Sequence, residues 1–467
     1  MKNENASVPI ADLVASQRET FNSGKTRPVR FRIEQLDRLE KAILARERDI
    51  LDATKADLGK CDFEAFTTEI VLVLEEIKLM KRKVRAWSKP RRVSAGLFNW
   101  PGSGRTYRDP HGVCLVMSPW NYPFMLAVAP LVGAIAAGNT VILKPSAYSP
   151  ATSAVIASLL RDAFPSDYIA CVEGGREVNQ DLLAQEFDYI FFTGSVAVGK
   201  LVMESASKRL TPVTLELGGK SPCVVDKSAD VDLSAKRAAW GKCINSGQTC
   251  VAPDYFLVHE DVKDAFVAKF REHVTRFYGE NPHENAEFPR IVNRHHFDRL
   301  SSLVAGARAQ AGRTVTGGRV SAETLKIEPA IIEGVSWDDP VMAEEIFGPI
   351  VPVITWRDED EIVRKILARP RPLALYVFTR DTAQARRITG SIPFGGGCVN
   401  DTIMHVATHT LPFGGTGASG MGGYHGKWSF DTFTRVKSVV EKPLWADVPL
   451  RYAPFGRKYS TFRKFLG

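Results

Sequence analysis

The 467-residue sequence has no C-x-x-C pair, no internal repeat, no low-complexity tract and no basic block interleaved with aromatics. The last absence argues against a protein that tracks single-stranded nucleic acid. The seven cysteines (Cys61, Cys114, Cys171, Cys223, Cys243, Cys250 and Cys398) are odd in number and scattered. That argues against a disulfide framework or zinc ribbon and predicts a reducing compartment. The opening MKNENASVPI lacks the apolar core of a secretory leader, so a cytoplasmic protein is expected. Only one long hydrophobic run occurs, from Phe124 to Leu143. It is broken by Pro130, Gly133, Gly138 and Asn139 and followed by Lys144 and Pro145. It reads as a buried helix, a Gly-Asn stop and a buried strand rather than a membrane span. Lys and Arg number 61 against 53 Asp and Glu, a net charge of +8 spread along the chain. The densest group, Arg451, Arg457, Lys458, Arg463 and Lys464, reads as a solvated tail, with an anionic surface as its alternative partner. No nucleic acid and no membrane anchor are expected.

A chain of this length exceeds one hydrophobic core, so two or three domains are expected. Residues 9–90 carry helical spacing: Leu36, Leu39, Ile43 and Leu44 within Phe31–Thr54, then Ile70, Val73, Leu74 and Ile77 within Thr68–Trp87. From Gly112 short apolar runs appear at Val113–Met117, Thr140–Leu143, Tyr168–Val172, Tyr189–Phe192 and Thr214–Leu217. Helix-like segments Phe124–Ala137, Pro150–Phe164 and Val196–Arg209 lie between them. This alternation predicts a parallel sheet with helices on its faces, and dinucleotides bind at the carboxyl ends of such strands. A second alternation, from Ser221, has strands at Pro222–Val225, Tyr255–Val258 and Leu375–Phe378. Its helices are Leu233–Asn245, Asp261–Tyr278, His296–Ala311 and Asp358–Leu367, which predicts a second α/β domain.

Five motifs offer chemistry. YIFFTGSVAVGK runs a strand into Thr193-Gly194-Ser195 and a helix start. The free N–H groups suit a pyrophosphate, although a Ser-capped turn of this kind is more often structural. In LELGGK, Glu216 ends a strand before a Gly pair, as a general base or as a salt-bridge partner. In NSGQTC, Cys250 follows a Gly-containing turn. It is a reactive thiol if N–H donors lie close and inert core otherwise. In PWNYP, two prolines fix the backbone around Asn121, whose amide then either faces a reacting oxygen or only orders a loop. His405 and His409 in HVATH have metal-ligand spacing. No zincin Glu stands between them and no third ligand follows, so no metal is expected.

Taken in order, PWNYP, ILKPS, FTGS, ELGGK, GQTC, EEIFGP and PFGG resemble the aldehyde dehydrogenase superfamily over nearly the whole chain. The endings LPFGGTGASGMGGYHGKWSFDTFT and RYAPFGRKYS look most like class 3 members, which include fatty and aromatic aldehyde oxidisers. The resemblance implies that Cys250 attacks the aldehyde and that Asn121, with the Cys250 N–H, forms an oxyanion hole. Glu216 would activate the water that releases the acid. Trp120, Lys144, Gly194, Ser195, Glu345 and Phe347 would hold the dinucleotide. Tyr122, Thr249, Ile403, Phe413 and His425 would line the substrate funnel, whose apolar character favours medium-chain aliphatic or aromatic aldehydes. The implied architecture is a Rossmann-like cofactor domain (1–91 and 112–217), an α/β catalytic domain (218–400) and a small β oligomerisation element (92–111 and 427–450). Residues 401–426 would return to the active site, 451–467 would form a tail, and the hairpin would build a homodimer.

One position departs from the class 3 pattern. Many NAD-preferring members read KPSE where this chain has Lys144-Pro145-Ser146-Ala147. Loss of the Glu removes a partner for the ribose 2′-hydroxyl and a repulsion against a 2′-phosphate. NADP is therefore expected to be accepted beside NAD, and even preferred. Two rivals are an acylating dehydrogenase that passes its thioester to coenzyme A, and a non-catalytic protein on the same fold. Glu216 argues against the first; Cys250, Glu216 and Asn121 together argue against the second.

Overall fold

Strands buried on both faces form the centre of each half of the chain, as parallel strands require. In the computed structural model, residues 9–466 are described; residues 1–8 of the expected cofactor domain and residue 467 of the tail lie outside the described residues. The first sheet holds five parallel strands: Val113–Met117, Thr140–Lys144, Ile169–Cys171, Tyr189–Gly194 and Val213–Leu217. Gly420–Met421 adds to its edge, antiparallel to Val213–Leu217. From Val113–Met117 the next two strands in sequence lie to one side and the following two to the other. The order thus reverses between Val113–Met117 and Tyr189–Gly194, and a ligand crevice opens at the carboxyl ends beside such a reversal. Those ends lead into PWNYP and FTGS.

The apolar stretch from Phe124 to Leu143 folds as the helix Met125–Ala137, a left-handed Gly138 and the start of the strand Thr140–Lys144. The helix continues through Pro130. Asn139 then ties the stop in place: its Oδ1 accepts the Gly112 N–H at 3.0 Å and its Nδ2 donates to the Phe433 carbonyl at 2.9 Å. Helices Val29–Ala45 and Val71–Trp87 pack with Met125–Ala137 around Leu36, Leu39, Val73, Ile77, Leu131 and Ile135. The expected single helix over Phe31–Thr54 is two, Val29–Ala45 and Glu47–Leu58, broken at Arg46.

The second sheet has seven strands. In spatial order they are Thr314–Gly317, Ala330–Glu333, Ile350–Trp356, Tyr255–His259, Pro222–Val225, Ala374–Phe378 and Gly396–Val399, all parallel except the first. A third, antiparallel sheet joins Arg91–Val93, Ser103–Pro110 and Thr434–Glu441. Its outer strand Thr434–Glu441 is exposed beyond its first residue. Before that strand, the helix Lys427–Thr432 packs on the first half: Ser429 and Phe433 lie so close to Gly133 that a Cβ there would press on both.

Candidate active site

Cys250 stands at the end of an unusual turn. The helix Val231–Cys243 stops, and Asn245, Ser246 and Gly247 follow in three successive left-handed conformations (φ 50°, 54° and 74°). Such backbone is costly for residues with a Cβ and persists only when its surroundings over-determine it. Gln248 supplies much of that constraint. Its side-chain Nε2 donates to the Asn245 and Arg290 carbonyls at 3.0 and 2.9 Å, and its Oε1 accepts the Val292 N–H at 2.9 Å. The half-buried Cys250 thiol is pushed up to about 12 by burial, then by the Glu345 and Glu216 carboxyls; the Cys250 and Val251 N–H groups pull the other way.

The Asn121 loop is bound to this turn. Asn121 Nδ2 donates to the Gln248 carbonyl at 3.1 Å, and Asn245 Nδ2 donates to the Asn121 carbonyl at 2.7 Å and to the Gln248 carbonyl at 3.0 Å. The next residue repeats the tie, with the Tyr122 hydroxyl 2.6 Å from Thr249 Oγ1. The side-chain amide of Asn121 is therefore held on the carbonyl two residues before Cys250.

Glu216 lies in register with Thr193 on one side and Gly420 on the other. The residue is only 2% exposed, and neither carboxyl oxygen has a hydrogen-bond partner among the described residues. Burial raises its carboxyl well above the ordinary range. A buried acid without partners is costly as structure and suited to proton transfer. Glu345 reaches in from the other half: Gly219 N–H donates to its carboxylate, and a Cβ at Gly218 would overlap it. Burial and Asp254 raise the Glu345 carboxyl to about 8. Its strap is held by Lys220, which donates to Asp254 Oδ2, the Glu344 carbonyl and the Val341 carbonyl at 2.6, 2.7 and 2.9 Å, while Asp254 Oδ1 accepts the Ile346 N–H at 3.0 Å.

The crevice fits a dinucleotide on its own geometry. Ser195 caps the helix Val196–Ser207 and accepts from Val198 N–H, leaving other first-turn N–H groups at an exposed end. Gly194 beside it meets the Phe192 ring where a Cβ would stand. Lys144 is buried, donates to the Pro145 carbonyl at 2.6 Å and is lowered by desolvation; Ala147 nearby is exposed. The Trp120 and Phe347 rings meet edge to face at 5.4 Å, and Phe347 takes a positive φ of 53°.

The expected funnel residues fall into linked groups. Phe413 stacks on His425 at 5.3 Å and meets Tyr424 at 5.7 Å. Burial lowers His425 to about 4, so its ring is neutral near pH 7. Tyr376 donates to the Val251 carbonyl at 2.6 Å and receives the Ile403 N–H, joining Ile403 to the Cys250 loop. His405 and His409 turn to different partners: Cys398 Sγ at 3.7 Å and Glu76 Oε2 at 2.9 Å.

The motifs did not disclose Asn245, Gln248, Tyr376, Tyr424 or a group behind the loops, Lys60, Glu64 and Glu69. Lys60 and Glu69 form an ion pair of 2.6 Å with both side chains fully buried.

The profile of the aldehyde dehydrogenase family matches residues 4–439. The 4,4′-diaponeurosporen-aldehyde dehydrogenase of Staphylococcus aureus (strain NCTC 8325 / PS 47) is 45% identical, over 95% of this chain and 96% of that one. A dimeric NADP-preferring aldehyde dehydrogenase of Canis lupus familiaris is 42% identical, over 95% and 98%. Among solved structures, the substrate-bound state of Staphylococcus aureus AldH superposes with a TM-score of 0.95 at 43% identity, covering 99% of this chain and 100% of that one.

Proposed function

The chain belongs to the aldehyde dehydrogenase family, whose members oxidise aldehydes to acids with NAD(P), and we propose from that premise which of its residues do the work. Cys250 is the nucleophile, Asn121 the oxyanion-hole amide and Glu216 the base. The observation that carries this reading is the shared Gln248 carbonyl, which locks the Asn121 side chain onto the Cys250 loop. An aldehyde carbon is electron-poor. Addition of the Cys250 thiolate turns it into a tetrahedral alkoxide, and the Asn121 N–H and the backbone N–H of Cys250 stabilise the oxyanion. When bound, the nicotinamide supplies the hydride acceptor. Glu345 and Phe347 would hold the nicotinamide end, with Trp120 against Phe347; Gly194 and Ser195 would hold the phosphates and Lys144 the distal ribose. The thioester on Cys250 is then attacked by water that Glu216 deprotonates, releasing the acid.

The funnel residues Tyr122, Thr249, Ile403, Phe413 and His425 present aromatic, apolar and neutral groups, which fit medium-chain aliphatic or aromatic aldehydes. The relative named for a diaponeurosporen aldehyde extends that class to longer apolar chains. Acid release, not transfer to coenzyme A, is the expected outcome. Product analysis with a panel of such aldehydes should give free acid whether or not coenzyme A is present; an acyl-coenzyme A product would refute the role given to Glu216.

NADP is accepted beside NAD, because Ala147 offers neither a 2′-hydroxyl partner nor a repelling charge. The NADP-preferring relative supports this. Ala147→Glu should lower kcat/KM for NADP roughly tenfold through charge repulsion and leave that for NAD equal or higher. Parallel steady-state kinetics check it, and a parallel loss with both cofactors would count against it.

The residue ranges 1–91 with 112–217, 218–400 and 92–111 with 427–450 serve as cofactor, catalytic and oligomerisation units. The third sheet and the turn between its first two strands leave Leu97, Phe98, Trp100, Val439 and Val440 exposed, a surface suited to a second copy; the dimeric relative supports a homodimer. No helix among the described residues is long and apolar enough to cross a membrane. Seven free thiols, one of them the nucleophile, fit a reducing compartment such as the cytoplasm.

A further inference from the structure

One short segment touches both arms of the site from behind. The chain from Lys60 to Glu69 runs through the helical turn Asp62–Ala65 and the wide turn Phe66–Ile70. On one side it grips the Asn121 loop. Lys60 Nζ donates to the Asn121 carbonyl at 3.2 Å and lies 3.9 Å from the centre of the Tyr122 ring. Glu69 Oε2 accepts the Phe124 and Met125 N–H groups at 3.1 and 2.9 Å, at the start of the helix that follows. On the other side it grips the Cys250 loop. Glu64 Oε1 accepts the Asn245 N–H at 2.8 Å, at the first left-handed residue of the turn.

That contact lies at the first of three successive left-handed residues. An N–H in a left-handed turn points away from the usual helical acceptors, so it needs one supplied from outside. Asn245 is also the residue whose side chain bridges the Asn121 and Gln248 carbonyls. Rotation of its backbone would move both bridges and the sulfur five residues on. Burial, against the pull of Lys60, brings the Glu64 carboxyl to about 7. Either protonation state offers an oxygen to the Asn245 N–H.

We propose that Glu64 is a positioning residue: through Asn245 it sets the register of the Cys250 loop against Asn121, while Lys60 and Glu69 hold the Asn121 side of the same clamp. The inference rests on the roles assigned above to Cys250 and Asn121. It concerns the geometry of the oxyanion hole, not a group that meets the substrate. Misplacement of a reacting group by a fraction of a side-chain length lowers the rate of the chemical step more than it lowers binding.

The test uses Glu64→Ala, Glu64→Gln, Asn121→Ala and the double variant Glu64→Ala/Asn121→Ala. Glu64→Ala should lower kcat about tenfold and leave the cofactor KM within about twofold. Glu64→Gln keeps an acceptor oxygen and should recover most of the lost rate. In the Asn121→Ala background, removal of Glu64 should cost less than about threefold, because the amide it aligns is gone. Glu64→Ala with wild-type kcat, Glu64→Gln no better than Glu64→Ala, or a full tenfold loss in the double variant would each overturn the inference. If the alanine variant does not fold, Glu64→Asp, which shortens the arm by one methylene, takes its place with the same expectations. An Asn121→Ala enzyme of wild-type activity would instead overturn the oxyanion-hole assignment beneath it.

Discussion

Cys250→Ala should lower aldehyde oxidation by roughly 10⁴-fold or more, the scale seen when a nucleophile is removed from a concerted site. The two thiols nearest in sequence offer no substitute. Cys243 is fully buried, out of a substrate's reach, whereas Cys250 is only half-buried. Cys223 is likewise fully buried. The variant should still bind NAD(P)H, because Gly194, Ser195, Lys144 and Phe347 are untouched; fluorescence titration should give a Kd within about threefold of wild type. Its fold should survive, since loss of one sulfur from a half-buried position removes little packing. A companion measurement concerns the wild-type thiol. Burial and two carboxyls hold it near 12, so alkylation of the cofactor-free enzyme should quicken steadily from pH 7 to pH 10. Retention of a tenth of the activity in Cys250→Ala would end the nucleophile assignment.

Much of the fold was legible where burial is symmetrical. Val113–Met117 and Pro222–Val225 are continuous apolar runs because both faces of their sheets are covered. The strand Ile350–Trp356 escaped notice because Pro352 sits inside it, and proline argues against a central strand. Gly396–Val399 carries no strand signal because its glycines have no side chain to show a period. The break at Arg46 has no Gly or Pro to announce it. The site divides in the same manner. Cys250, Asn121 and Glu216 sit in short motifs whose chemistry can be named from the residues. Asn245 and Ser246 give no warning of a left-handed turn, since only Gly247 signals one. Glu64 meets Asn245 across 181 positions, and no local pattern encodes a contact that the tertiary packing creates.

Glu216→Gln should separate the two halves of the reaction. The first half needs the thiol and the oxyanion donors, which remain. One equivalent of reduced cofactor per site should therefore appear in a burst, followed by a steady rate at least about 10²-fold below wild type. Hydroxylamine should trap the stalled thioester as a hydroxamate. The pH dependence follows from the raised carboxyl. Burial keeps Glu216 protonated well above the usual carboxylate range, so it gains the power to accept a proton only as pH climbs, and wild-type deacylation should rise with pH while the variant's should not. Stability should move in the opposite sense. An acid whose folded value exceeds its unfolded one, about 4.3, stabilises fully below the unfolded value; that contribution is lost as pH rises through the folded value. Ionisation of a carboxyl with no partner among the described residues must therefore destabilise wild type in alkali, a cost that glutamine cannot incur. The buried amide brings a fixed penalty of its own, but one that does not vary with pH. The Tm of Glu216→Gln should accordingly gain on wild type as pH rises above the unfolded carboxyl's value. No burst, a steady rate within tenfold of wild type, or parallel Tm curves would show that this carboxyl neither takes the proton nor is strained by doing so.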